Sequence, residues 1–173
     1  MRTMTATRVE PEEQAEGRLG ELYRRHAPEA VRLAYLLTGD RALAEDLAQE
    51  AFVRMFGRFR DLRNPDAFGA YLRKTVVNLT RSHFRRAKVE RAYVARERGA
   101  PRTTSQPDIG ARDEMWRALH RLPERQRTAI VLRFYEDLSE AQTADTMRCP
   151  QGTVKSLVSR GLDRLRQEMT RDD

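Results

Sequence analysis

Three sets of side chains in this 173-residue chain have the types and spacing for molecular recognition. The first lies near the C-terminus, where two helical patterns, about 139–147 and 150–168, are joined by a very short turn. Ser139-Glu140-Ala141-Gln142 is an S-x-x-Q capping box that starts the first helix. Pro150, read as a first helical position, starts the second. With Val154, Val158, Leu162 and Leu165 facing inward, Gly152, Lys155, Ser156, Ser159, Arg160 and Asp163 face outward. Lys155 and Arg160 can reach phosphates or guanine acceptors, and the two serines are small, adaptable hydrogen-bonding groups. The spacing is that of a helix-turn-helix, whose second helix enters the major groove. Taken alone, it equally fits a plain helical hairpin with a polar outer face.

The second set is a basic, hydrogen-bonding ridge of Lys74, Asn78, Arg81, Ser82 and Arg85. It lies opposite an apolar stripe of Phe68, Tyr71, Leu72, Thr75, Val76 and Leu79, in which Phe68 and Tyr71 read as core. The third set, Asp46, Gln49, Glu50 and Val53, recurs at i, i+3, i+4 and i+7. It occupies a different helix face from the apolar stripe of Leu43, Leu47, Ala48, Ala51, Phe52, Met55, Phe56 and Phe59.

Charge points to a polyanion. The formal net charge is +7, but residues 54–102 alone carry 14 basic and 4 acidic side chains, whereas residues 1–53 carry 7 basic and 10 acidic. The preference for arginine, 30 against 3 lysines, fits a GC-rich genome; it does not account for the scarcity of acids in the basic block. Other chemistries lack their parts. The single Cys149 excludes an intrachain disulfide. His26, His83 and His120 are scattered without zinc spacing. No carboxylates pair with each other or with a histidine as hydrolysis would require, so no enzyme activity, metal or cofactor is expected. No apolar run approaches ~18 residues, so no membrane span is expected, and the polar N-terminus is unlike a secretory signal. The expected location is the cytoplasm.

These sets must be carried on helices, and no stretch reads as a strand. A helical pattern from Glu12 is broken or kinked at Pro28, resumes, and stops at Thr38-Gly39-Asp40. A second helix spans Arg41 to Phe59, a loop Asp61 to Pro65, and a third helix Pro65 to Lys88 or beyond. Gly99 to Gly110 has linker composition. Beyond it, Met115, Trp116 and Leu119 mark a short helix, and Pro123 opens another with Ile130, Val131, Leu132 and Phe134 as its core. The expected fold is all-α: two small helical domains, a region of 16–92 and a helix-turn-helix region of 111–173, joined by a flexible linker at 93–110 and preceded by a disordered lead at 1–15.

Leu122 through Ala141, followed by Gly152-Thr-Val-Lys-Ser156, resembles region 4 of the extracytoplasmic-function (ECF) RNA polymerase sigma factors. Ala44-Glu-Asp-Leu-Ala-Gln-Glu-Ala-Phe52 is similar to their region 2.2, and Ala70-Tyr-Leu-Arg-Lys-Thr-Val-Val-Asn78 to regions 2.3 and 2.4. The three motifs occur in family order. The resemblance implies a promoter-recognition subunit that binds core polymerase as a single copy. Asp46, Gln49, Glu50 and Val53 would face the β′ clamp helices. Asn78 would contact a flipped base of the −10 element, with Lys74, Arg81 and Arg85 along the opened strand and the Arg60–Pro65 loop, Arg60 and Asn64 included, setting specificity. Gly152, Thr153, Lys155, Ser156, Ser159 and Arg160 would read the −35 element, while the other face of region 4 docks on the β flap. A separate anti-sigma factor is a further candidate partner.

The sequence departs from the family pattern at the turn, where glycine is usual and Arg148 stands, and at Thr143, Thr146 and Leu157. Arg148 must adopt a costly left-handed conformation or force a different turn. The alternative reading is a stand-alone helix-turn-helix regulator that binds its operator without polymerase. It leaves the 44–52 and 70–78 motifs unexplained.

Overall fold

Apolar side chains three and four apart become helix faces in the computed structural model, which describes residues 11–59, 67–98 and 114–170. The described residues form α1 (Pro11–Thr38), α2 (Arg41–Phe59), α3 (Phe68–Arg98), α4 (Glu114–Arg121), α5 (Glu124–Ile130), α6 (Glu140–Met147) and α7 (Gln151–Met169). A π-helical turn, Val131–Tyr135, continues α5. No strand occurs among the described residues. The loop with Arg60 and Asn64, and residues 99–110 of the linker expected at 93–110, lie outside them, whereas residues 93–98 continue α3 as helix.

Helices α1, α2 and α3 pack as one unit around Leu33, Leu37, Phe52, Phe68, Leu72 and Val76. Phe52 is its hub: its ring centroid lies 4.8 Å from that of Tyr23 and 6.1 Å from that of Phe68. Gly39, at φ 74°, ends α1 by returning its N–H to the Tyr35 carbonyl at 2.8 Å. Asp40 then caps α2, its Oδ1 accepting the Leu43 N–H at 3.0 Å. Of the break or kink expected at Pro28, the break does not occur: α1 runs through it. The proline costs one backbone bond, and the buried row Ala30, Leu33, Ala34 and Leu37 keeps the following turns against the core. The helix also begins at Pro11, ahead of the unit boundary expected at residue 16.

Helices α4 to α7 form the second unit. α5 and α7 approach closely at buried Gly161, where a Cβ would lie 2.6 Å from Ile130 Cδ1. Phe134 is 61% exposed rather than core. The wider π turn shifts the helical phase, so a residue expected in line with Ile130 and Val131 is carried outward.

The two units are in contact, which linear periodicity does not reveal. Tyr35 of α1 stacks on Trp116 of α4, centroids 4.6 Å apart, and Trp116 packs on His120 at 4.2 Å. Arg73 Nε donates to Glu136 at 2.8 Å and Lys74 Nζ to Asp145 at 2.9 Å. Arg127 of α5 lies over the Phe84 ring of α3, 5.5 Å from its centroid. Val131, Leu132, Leu138 and Met147 of the second unit complete the apolar cluster of the first.

His120 titrates unusually in this seam. Burial lowers its pKa from 6.5 to about 4, and the nearby Arg127 adds to the effect; the bond from Nδ1–H to the Trp116 carbonyl, 3.0 Å, opposes it. The folded pKa lies below the unfolded one, so the unfolded chain takes up a proton first as pH falls. The stabilising contribution is therefore full above pH ~6.5 and is lost as pH falls toward ~4. Urea unfolding midpoints should drop between pH 7 and pH 4.5, and His120→Phe should show a smaller drop. An equal drop in both proteins would contradict this.

Candidate nucleic-acid interface

The helix-turn-helix forms as the capping signals dictate. Ser139 Oγ accepts the Gln142 N–H at 3.1 Å, and Gln142 Oε1 accepts the Ser139 N–H at 2.8 Å, closing the box that starts α6. Arg148 ends α6 in the left-handed region, φ 52° and ψ 54°. For a side chain with a Cβ this costs about 1 kcal/mol. Pro150 immediately precedes the first residue of α7 and so caps it, rather than occupying the expected first helical position. Val154, Gly161 and Leu165 are buried along α7.

Gly152, Lys155, Ser156, Ser159 and Arg160 are exposed together on the outer face of α7, and Thr153 is half-buried at its edge. Ser156 donates its hydroxyl to the Gly152 carbonyl at 2.9 Å, which leaves its oxygen free to accept from outside. Lys155 Nζ lies 3.6 Å from Glu140 with most of its side chain in solvent. The remaining departures lie on the inner side. Thr143 and Thr146 are buried, Leu157 is half-buried, and Thr146 donates its hydroxyl to the Gln142 carbonyl at 2.8 Å.

The α3 ridge comes together as expected, with one addition. Asn78, Arg81, Ser82 and Arg85 line a cleft of about 720 Å³, joined by Arg54 of α2 and Arg148 of the second unit. Lys74 is drawn aside into its pair with Asp145. Tyr71, read from sequence as core, is 53% exposed. The buried row of α3 runs through Phe68, Leu72, Val76 and Leu79, and Tyr71 flanks it, seven residues and so two turns from Asn78 on the same face. The signal for this was available: a phenol carries its own polar end and needs no burial. Farther along this face, Val89 and Tyr93 are also exposed.

On α2, Asp46, Gln49, Glu50 and Val53 are all exposed on one face, while Ala44, Leu47, Ala48, Ala51 and Phe52 are buried on the other. Glu50 pairs along the helix with Arg54. Val53 is 61% exposed amid this polar face.

Two family descriptions match the chain in the order of its two units: "Sigma-70 region 2" over residues 22–90 and "Sigma-70, region 4" over residues 112–165. The RNA polymerase sigma-E factor of Streptomyces coelicolor is 32% identical over 143 residues, covering 83% of this chain and 81% of the relative. The chain belongs to the ECF sigma-70 family. The ECF RNA polymerase sigma factor SigW of Bacillus subtilis is 28% identical, covering 80% of this sigma factor and 81% of the relative. Among solved structures, the sigma factor RpoE of Bartonella quintana, in complex with the anti-sigma factor NepR, matches with a TM-score of 0.70. It is 23% identical and covers 90% of this chain and 99% of that one. CnrH, in complex with the cytosolic domain of CnrY, matches at 0.64 with 22% identity, covering 92% and 95%. At these identities the structural matches establish the shared fold. Among the described residues, no helix of this sigma factor is long and apolar enough to cross a membrane.

The capping box fixes the start of α6 and, through the short turn, the pose of α7. Ser139→Ala should lower unfolding free energy by about 1 kcal/mol, read by urea denaturation. An unchanged midpoint would show that tertiary packing alone sets this helix start.

Proposed function

We propose that this chain is an alternative sigma factor that binds RNA polymerase core, recognises −35 and −10 promoter elements, and promotes strand opening. The observation that carries the reading is the placement of three recognition faces on one family framework: the exposed α2 ridge, the basic α3 ridge with Asn78, and the outer face of α7. In this reading residues 16–92 act as region 2, 93–110 as the linker and 111–173 as region 4. The chain is a cytoplasmic binding subunit, not an enzyme, and one copy serves each holoenzyme.

Asp46, Gln49, Glu50 and Val53 bind the β′ clamp helices. An acidic and amide-bearing ridge with an apolar centre suits a basic helical partner. Asn78 offers both a donor and an acceptor to the edge of an unstacked base. Arg81 and Arg85 hold the backbone of the opened strand with Lys74, once it leaves Asp145, and Arg60 and Asn64 contribute from the specificity loop. Tyr71, exposed two turns from Asn78, can stack on a neighbouring base. Gly152, Thr153, Lys155, Ser156, Ser159 and Arg160 read the −35 duplex, and the opposite side of region 4 meets the β flap. The solved structure of the sigma factor RpoE with the anti-sigma factor NepR favours an anti-sigma protein as a further partner.

Geometry requires the seam to open. Elements about 25 base pairs apart are separated by roughly 85 Å of B-form duplex, at ~3.4 Å per step. The 2.9 Å pair of Lys74 with Asp145 holds the two reading units side by side. Residues 99–113, fully extended, reach roughly 50 Å, which together with the widths of the units covers that span.

Two variants separate the faces. Lys155→Ala should reduce −35-dependent run-off transcription about tenfold, the worth of one lost charged contact to DNA, with core binding unchanged. Asp46→Arg should impair holoenzyme assembly in a core pull-down, because like charges then meet. Equal losses of both activities in Lys155→Ala, or normal assembly by Asp46→Arg, would contradict the assignment.

A further inference from the structure

Of the four arginines that line the cleft between the units, Arg81 and Arg85 belong to the proposed −10 surface, and Arg54 and Arg148 do not. Arg54 comes from α2, Arg81 and Arg85 from α3, and Arg148 from the turn of the helix-turn-helix. None of its described lining residues is acidic; the uncharged ones include Thr75, Asn78 and Ser82, all hydrogen-bonding. Arg54 is balanced by Glu50, and the half-buried carboxyl of Glu124 lies within electrostatic reach of Arg81. Among the described residues, no carboxylate pairs with Arg85 or Arg148. Closing the seam therefore brings a cation of the second unit onto a row of cations of the first. Like charges so placed oppose closure, yet the seam around them is satisfied by Tyr35–Trp116, Arg73–Glu136 and Lys74–Asp145. Arg148 adds a second oddity. It stands in a left-handed turn that glycine would fill without strain, and it lines the cleft.

We propose that this cleft is a binding site for a free oligophosphate, of the kind carried by nucleoside polyphosphates, and that the bound anion holds the two units closed. Four guanidinium groups from three elements present planar forks of N–H donors, the geometry that takes phosphate oxygens in pairs. A volume near 720 Å³ is in the range of small-ligand sites and ample for a chain of two or three phosphates. Because the ligand bridges Arg148 to Arg54, Arg81 and Arg85, it binds the closed form better than the open one and shifts the population toward it. The inference goes beyond promoter recognition, sharing only Asn78, Arg81 and Arg85 with the proposed −10 surface. Occupancy would set the anion against the opened strand for the same side chains.

The test uses the full chain with tripolyphosphate as the probe, against sodium chloride at matched ionic strength to remove simple screening. Isothermal titration should give one tripolyphosphate per chain, and fluorescence of Trp116, the only tryptophan and a member of the seam, should change on saturation. Arg148→Gly relieves the turn and so keeps the fold, and it should weaken tripolyphosphate binding about tenfold. Arg164→Ala, which removes the same charge from exposed helix α7, should bind like the parent. A single-stranded −10 oligonucleotide should bind the parent and Arg148→Gly alike. The proposal is overturned if tripolyphosphate binds no better than chloride predicts, if Arg148→Gly binds it normally, or if Arg164→Ala loses as much. It is also overturned if Arg148→Gly loses the oligonucleotide in equal measure, since Arg148 would then belong to the DNA path. Because binding is read on the chain alone, any of these failures leaves the sigma-factor reading intact, and a failure of core binding leaves the cleft result standing.

Discussion

Everything in this molecule turns on the seam where α1 and α3 meet α4, α5 and α6. An isolated helical unit of this size buries too little apolar surface to be comfortably stable. Sharing Val131, Leu132, Leu138 and Met147 across the boundary gives both units a larger core. The polar part of the seam adds direction more than strength. Arg73–Glu136 is largely buried, and such pairs roughly break even against their desolvation; Lys74–Asp145 is mostly open to solvent on the acidic side. The Tyr35–Trp116 stack contributes about 1 kcal/mol beyond its buried area. A seam built in this way is specific in register and modest in strength, which suits the parting that the proposed function requires.

Closure does not treat the three recognition faces alike. The α2 ridge and the outer face of α7 remain exposed, so first contacts with protein and with duplex DNA are available to the closed form. The α3 ridge is different: Lys74 is engaged by α6, and Asn78 faces a cleft that the second unit helps to wall. In the proposed reading, strand opening, which places single-stranded DNA on α3, is thus the step most affected by the seam.

The helices, their apolar faces, the capping box and the side-by-side placement of Lys155, Ser156, Ser159 and Arg160 were legible in sequence because each rests on local rules: periodicity, a cap, a turn. The left-handed turn at Arg148 was legible as one of two alternatives for the same reason. What escaped depends on three-dimensional neighbours. Phe134 looked like core because the widening of the helix at Val131–Tyr135 is invisible to a count of 3.6. Tyr71 looked like core because it flanks a stripe that narrows to Phe68, Leu72 and Val76. Pro28 looked like a break or a kink because the packing that carries α1 through it comes from α2 and α3. The close approach at Gly161, the buried Arg127 against Phe84, and the seam itself leave no periodic trace, since they join residues far apart in the chain.

In the proposed reading the closed arrangement must part for the chain to reach two separated promoter elements. This is tested most directly by locking the seam in the full chain. Cysteines at Arg73 and Glu136, with Cys149→Ser to remove the native thiol, can be joined by a short reducible bismaleimide at a contact that lies outside the proposed DNA-binding residues. With core polymerase and a promoter, the linked protein should give no run-off transcript, and cleaving the linker should restore initiation to the level of the unlinked double variant. A linked chain that initiates at the unlinked rate would contradict the account.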